Sequence, residues 1–179
     1  MIRSLARVFV AAAPALVASG LLGGSARADM DEWQLGLGGD YRGLVLSGDP
    51  DDLVIHGPGI AAGLWYGVDD YWQLGASAQL GVGLPSPGDP GFLGSVALEA
   101  RYVLDIVEWV PHVTAAVGAL FDGVGDGRVD VLAGIGGGLD YRPERDWGFG
   151  IDLRYDFILT DLDGVTSAFH GALVYSSFF

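Results

Sequence analysis

The residues in this sequence that could do chemistry come as acids and arginines two positions apart. Asp40-Tyr-Arg42, Glu99-Ala-Arg101, Arg128-Val-Asp130 and Asp152-Leu-Arg154-Tyr-Asp156 all follow that spacing. Side chains two apart share a face of a β-strand and diverge on a helix, so each set reads as charges on one side of a strand. Asp140 joins them by the same parity. In a narrow interior a lone charge is costly, whereas an arginine bracketed by carboxylates is satisfied through several donors at once. The expected chemistry is therefore ion pairing that plugs a lumen. A gated or narrow pore is the competing reading, and the many glycines on the same faces favour it because they remove filler. The plug is preferred, since an eight-stranded interior is just wide enough for side chains to fill.

Other candidate groups carry less. His112 and His170 fall on the charged faces, and His56 lies in an expected loop. Ser167 and Ser177 sit on the face opposite His170, and Ser176 is six residues away. At strand rise that is ~20 Å, too far for a nucleophile and base that must hydrogen-bond. No enzymatic activity and no cofactor are expected. Asp122 to Asp130 is rich in acids and glycine but lacks the alternate-position acids of an EF-hand, so no metal site is assigned. Gly134-Ile-Gly-Gly-Gly138 lies inside a strand pattern, with neither the lysine nor the following helix of a phosphate-binding loop.

The elements that must position these charges are legible from alternation. Between Trp72 and Leu84 every even position is apolar and every odd one is Gln, Gly or Ser. Seven further segments follow the rule: Trp33–Arg42, Ile60–Val68, Phe92–Leu104, Trp109–Phe121, Arg128–Tyr141, Trp147–Phe157 and Val165–Phe179. The second and eighth fit least well, because Trp65, Val174 and Phe178 land on the inner face. Gly, Pro and Asp clusters separate the strands. Longer ones lie at Val45–His56, Pro85–Gly91, Asp122–Gly127 and Thr160–Gly164, and tighter ones at Asp69-Asp70, Asp105–Glu108 and Pro143–Asp146. Ten-residue apolar-out, polar-in segments joined alternately by long and short connections are the signature of a transmembrane β-barrel. The expected fold is all-β, an eight-stranded antiparallel up-and-down transmembrane barrel with the short turns on the periplasmic side. Trp33, Trp72, Tyr102, Trp109, Tyr141, Trp147 and Tyr175 would form the periplasmic aromatic belt, and Tyr41, Phe92, Phe121 and Phe157 the other. A soluble barrel of the lipocalin kind would need the same faces inverted.

Composition agrees. Half of the 179 residues are hydrophobic and 30 are glycine, without cysteine or lysine. At the N-terminus, Arg3 and Arg7 precede an apolar run from Val8 to Leu22 and small residues at Ser25-Ala26-Arg27-Ala28. This is the three-part pattern of a secretory signal, expected to be cleaved after Ala28. Residues 1–28 are thus assigned to the signal peptide and 29–179 to the barrel. Cleavage removes three of nine basic residues and leaves 23 acids, a formal charge of −17. So acidic a chain repels nucleic acid, whose binding depends on Lys and Arg.

At Ala97-Leu98-Glu99-Ala100-Arg101-Tyr102 and Gly150-Ile151-Asp152-Leu153-Arg154-Tyr155 the chain resembles the small OmpA-like outer-membrane β-barrel proteins. Its ending, with Leu173, Tyr175 and Phe179 at alternate positions, is similar to the C-terminal assembly signal of that group. The resemblance implies the outer membrane of a Gram-negative bacterium, with membrane lipids and the barrel-assembly machinery as partners, and a monomer. The alternating pattern, the inward ion pairs and the short loops lead to the expectation of a structural role in envelope integrity. A porin-like narrow channel and ligand binding or adhesion through the acidic surface loops are the alternatives.

Overall fold

A computed structural model describes residues 31–46, 53–86, 88–104, 108–123, 128–160 and 167–179. Eight strands follow one another: β1 (Trp33–Leu46), β2 (Leu53–Gly67), β3 (Trp72–Pro85), β4 (Gly91–Val103), β5 (Trp109–Asp122), β6 (Arg128–Glu144), β7 (Trp147–Ile158) and β8 (Ser167–Phe178). Each pairs antiparallel with the next, and β8 returns to β1, closing an eight-stranded transmembrane barrel with no free sheet edge. The seam runs from Gln34 opposite Phe178 to Val45 opposite Ser167. It continues past the strand ends through reciprocal backbone hydrogen bonds between Trp33 and Phe179. Closure pairs every strand on both sides, as a lipid environment demands of backbone polar groups.

The alternation resolves into two solvents. Leu35, Leu64, Leu74, Leu98, Val117, Ile135, Ile151 and Leu173 all point outward and are exposed, while the glutamines, acids and arginines between them are buried. Leu98 is 67% exposed while its neighbour Glu99 is 6% exposed. A soluble barrel would show the reverse, so the outer face is built for hydrocarbon.

At the end carrying the short turns, aromatic rings contact one another in runs around the rim. Trp33 meets Tyr66 at 4.9 Å, and Tyr102 is flanked by Tyr71 and Trp72. Trp109, Tyr141, Phe149, Trp147 and Tyr175 form an unbroken chain. Tyr41, Phe92 and Phe157 are exposed near the opposite end.

Two expected boundaries are corrected. The segment read as a first loop from Val45 to His56 is largely strand. β1 continues to Leu46 and β2 resumes at Leu53, with Leu46 opposite Leu53 and Gly43 opposite His56. Apolar Leu44–Leu46 and Leu53–Ile55 continue the ladder on either side of the acidic stretch. β6 runs three residues past Tyr141 to Glu144, which pairs with Trp147 across a two-residue turn after a register shift. β8 begins at Ser167; Val165 and Thr166, like residues 1–28 and the tips of three of the longer loops, lie outside the described residues.

Candidate functional site in the barrel lumen

The inward side chains form layers. Nearest the long-loop end lies an apolar cluster of Leu44, Ile55, Leu93, Leu120, Leu132, Ile158 and Ala168. It follows directly on the charged positions. Arg42 is two residues from Leu44, Asp156 two from Ile158, and His170 two from Ala168, so β1, β7 and β8 turn apolar inside as they near the loops. This layer was not legible as a site, because inward leucines at strand ends look like a fading alternation rather than a lid. Only their recurrence at the same end of seven strands could have signalled it.

Beneath it, Arg154 on β7 is the centre of the polar layer. Its Nε donates to Asp156 Oδ1 at 2.8 Å and its Nη2 to Asp156 Oδ2 at 3.2 Å, while Nη1 donates to Glu99 Oε1 at 2.8 Å. Glu99 also accepts from the Ser77 hydroxyl and, at 2.9 Å, from the Trp65 indole N–H. Arg101 lies over the Trp65 ring at 3.5 Å from its centroid. It approaches Glu99 at 3.4 Å and Asp152 at 3.7 Å. His112 Nε2 lies 2.7 Å from Asp152 Oδ1, and its Nδ1 3.8 Å from Asp140 Oδ2. Arg42 is held separately by Asp40, whose Oδ2 accepts from Nε at 3.1 Å and Nη2 at 2.9 Å. His170 meets Gln79, which also accepts from Ser95.

The ten charged residues picked out by parity are therefore not one network. Glu99 and Arg101 on β4 and Asp152, Arg154 and Asp156 on β7 are linked by four carboxylate–guanidinium contacts, and Asp140 reaches them through His112. Asp40 and Arg42 are a local pair. Arg128 and Asp130 pair beyond the apolar layer at the loop-end rim, where the Arg128 side chain is 37% exposed and Asp130 also accepts from Thr160. That last pair is outside the closed part of the lumen.

Trp65 and Phe178 were the inward residues without an evident place. Trp65 is 3% exposed and fills the space over three glycines: a Cβ at Gly36, Gly63 or Gly75 would run into its ring. Gly134 similarly faces Asp156 and the Arg154 stem, Gly150 faces Asp140, and Gly138 faces His112 at 2.6 Å from the Cβ position. These inward glycines are thus seats for large side chains, although Gly36, Gly63 and Gly136 also border a cavity. Phe178 closes the short-turn end under the Arg142 guanidinium, 3.9 Å from its ring centroid, beside the buried Gln34–Ser176 hydrogen bond. Ser176 is thereby engaged with Gln34 rather than with His170. Between the layers remains a cavity of about 40 Å³ bordered by Trp65, Ser77, Glu99, Asp152, Arg154 and His170, room for no more than a few waters at ~10–15 Å³ each.

On the outer face, Leu173, Tyr175 and Phe179 are all exposed and aligned toward lipid. His56, expected in a loop, is also outside, on β2, with Nδ1 2.8 Å from the Tyr41 hydroxyl.

The closed barrel, its aliphatic exterior and its charged interior define the class: a small eight-stranded barrel of the outer-membrane type. Among solved structures, the outer membrane protein OprG from Pseudomonas aeruginosa superposes with a TM-score of 0.59 at 10% identity, covering 87% of this chain and 99% of that one. Ail, the attachment invasion locus protein of Yersinia pestis, gives 0.56 at 14% identity over 84% of this chain and all of its own. The N-terminal barrel domain of Pseudomonas aeruginosa OprF gives 0.56 at 17% identity, covering 84% and 98%. No family model and no curated protein sequence matches the chain. The likeness is thus one of architecture.

Proposed function

We propose that the chain is an integral outer-membrane barrel of a Gram-negative envelope, without catalytic activity, whose closed lumen makes it a structural element of that membrane rather than a conduit. The observation that carries this reading is the filled cross-section. An apolar layer lies over a charged layer whose glycines are occupied by Trp65, Asp140, Asp156 and His112, and the cavity between the layers measures about 40 Å³. The apolar layer also keeps water from the ion pairs, which strengthens them in a medium of low polarity. Export through residues 1–28, recognition of the aromatic C-terminus by the assembly machinery, and a monomeric state belong to the same proposal.

The test is planar-bilayer recording of the refolded chain. A closed lumen predicts a silent membrane at physiological salt. Stable unitary steps would replace the structural role with the narrow-channel one. Loss of the gene should then raise envelope leakiness to large hydrophobic solutes, an effect a mere solute channel would not have.

A further inference from the structure

The lipid-facing surface is not uniform. Across β1 to β5 it carries a furrow of about 740 Å³, inside the ~300–1,000 Å³ range of small-molecule sites. Its floor is made of the short outward residues Ala62, Ala78 and Gly94, and Leu37, Phe92 and Phe121 border it. Ala62 stands opposite Ala78 on the neighbouring strand, and Leu37 opposite Ala62. The floor is so low that the inward-facing residues Gln79 and Ser95 also line the furrow. Their side chains offer it no polar group, since they hydrogen-bond each other inside the lumen.

A second feature crowns this furrow. Tyr41 lies four residues beyond Leu37 on β1, and His56 four residues from Ile60, another furrow residue, on β2, both toward the long-loop end. That is about 14 Å along each strand at ~3.4 Å per residue. Their rings sit 6.0 Å apart and share the Tyr41 hydroxyl–Nδ1 hydrogen bond. If the hydroxyl donates to Nδ1, Nε2 carries a proton for an outside acceptor. If Nδ1–H donates instead, the hydroxyl proton is the one left. In either tautomer the pair keeps one donor on an otherwise aliphatic face, at the level where headgroups lie.

We propose that this is a lipid site: the furrow takes an acyl chain and the Tyr41–His56 pair donates to a phosphate oxygen of the same lipid. An almost wholly apolar trough, continuous with the lipid-facing belt and with a hydrogen-bond donor further along the same strands, matches an acyl chain hanging from a headgroup. A second copy of this barrel would have to leave that donor against aliphatic side chains. The inference requires membrane insertion but not a closed lumen, so it stands whichever way the bilayer recording falls.

The test is native mass spectrometry of the full folded chain in detergent, mixed with dimyristoylphosphatidylglycerol, dimyristoylglycerol or inorganic phosphate. Expected is one phosphatidylglycerol retained per barrel under activation that strips all others, with dimyristoylglycerol held at least threefold less and inorganic phosphate not at all. Ala78→Phe should lower retention tenfold or more, with Ala62→Leu as the second furrow variant. Tyr41→Phe combined with His56→Ala should bring phosphatidylglycerol down to the dimyristoylglycerol level. Leu153→Phe, outside the furrow, should leave retention unchanged. Gel mobility with and without boiling certifies that each variant is folded. Equal retention by the furrow variants and Leu153→Phe would overturn the proposal, as would a dimer that Ala78→Phe disperses. Equal retention of the two lipids by the unaltered chain would overturn it as well.

Discussion

Replacing Arg154 by Met keeps most of the side-chain volume but removes the guanidinium that Glu99 and Asp156 share. Three hydrogen bonds to these carboxylates go, at 2.8, 2.8 and 3.2 Å, with a longer one to Ser77, and both carboxylates remain buried at 6% and 4% exposure. Stripping one partner from a buried ion pair costs about 3–5 kcal/mol, mainly because the orphaned charge stays in a poor solvent. Arg101 lies 3.4 Å from Glu99 and absorbs part of that loss, whereas among the described residues no second guanidinium forms an ion pair with Asp156, so about 4 kcal/mol is expected. With a urea dependence of ~2 kcal/mol per molar, the unfolding midpoint falls by about 2 M. The assay is urea unfolding from lipid vesicles, followed by tryptophan emission and by gel mobility without boiling. The argument makes a second demand. Adding Glu99→Gln and Asp156→Asn to Arg154→Met removes the stranded charges, and should restore at least half of the lost stability. A midpoint shift under ~0.5 M for the single variant, or a triple variant less stable than the single one, would refute the account of a lumen held by charge pairing.

Other substitutions probe the remaining layers. Gly63→Val places atoms where the Trp65 ring lies; overpacking of this kind costs about 1–3 kcal/mol, and a red-shifted tryptophan emission should report the displaced indole. Leu132→Ala in the apolar layer should cost about 2–5 kcal/mol in the same unfolding assay, and restoring bulk with Met should recover most of it. Leu98→Arg, on the outward face midway along β4, should destabilise the barrel in vesicles by about 2–4 kcal/mol. The same change on a water-facing strand would be worth less than ~0.5 kcal/mol, so a null result would mean that this face does not meet hydrocarbon.

Much of this architecture is written in the chain because its side chains meet two different media. Trp72 to Leu84 alternates without exception, and there the strand, its faces and its ends agree with the structure. The faces of the charged residues follow from the same parity. Their partners do not. Arg154 meets Glu99 on β4, and Trp65 on β2 donates to Glu99. Such contacts depend on strand stagger around the closed barrel, which no local pattern encodes. The apolar layer was hidden for a related reason: Leu44 or Ile158 inside a strand end is indistinguishable, one segment at a time, from a strand that has stopped alternating. The glycines misled in the opposite sense. Gly63 reads as missing volume until the ring that occupies it, contributed from its own strand two residues on, is seen.

The seam between β1 and β8 bears on how the molecule comes into being. Gln34 donates to Ser176 at 3.0 Å across 142 residues of chain, and twelve residue pairs from Gln34 to Val45 share that separation scale. The contact order of this one pairing is close to the length of the barrel itself, and loop closure of that span is made before it is rewarded. Until β8 arrives, β1 offers a bare hydrogen-bonding edge and the charged layer lacks His170, so no subset of strands has a finished interior. Such an intermediate is an open, amphiphilic sheet of the kind that aggregates when left alone. In such an intermediate the edge of β1 stays a template for stray strand pairing until the last strand covers it.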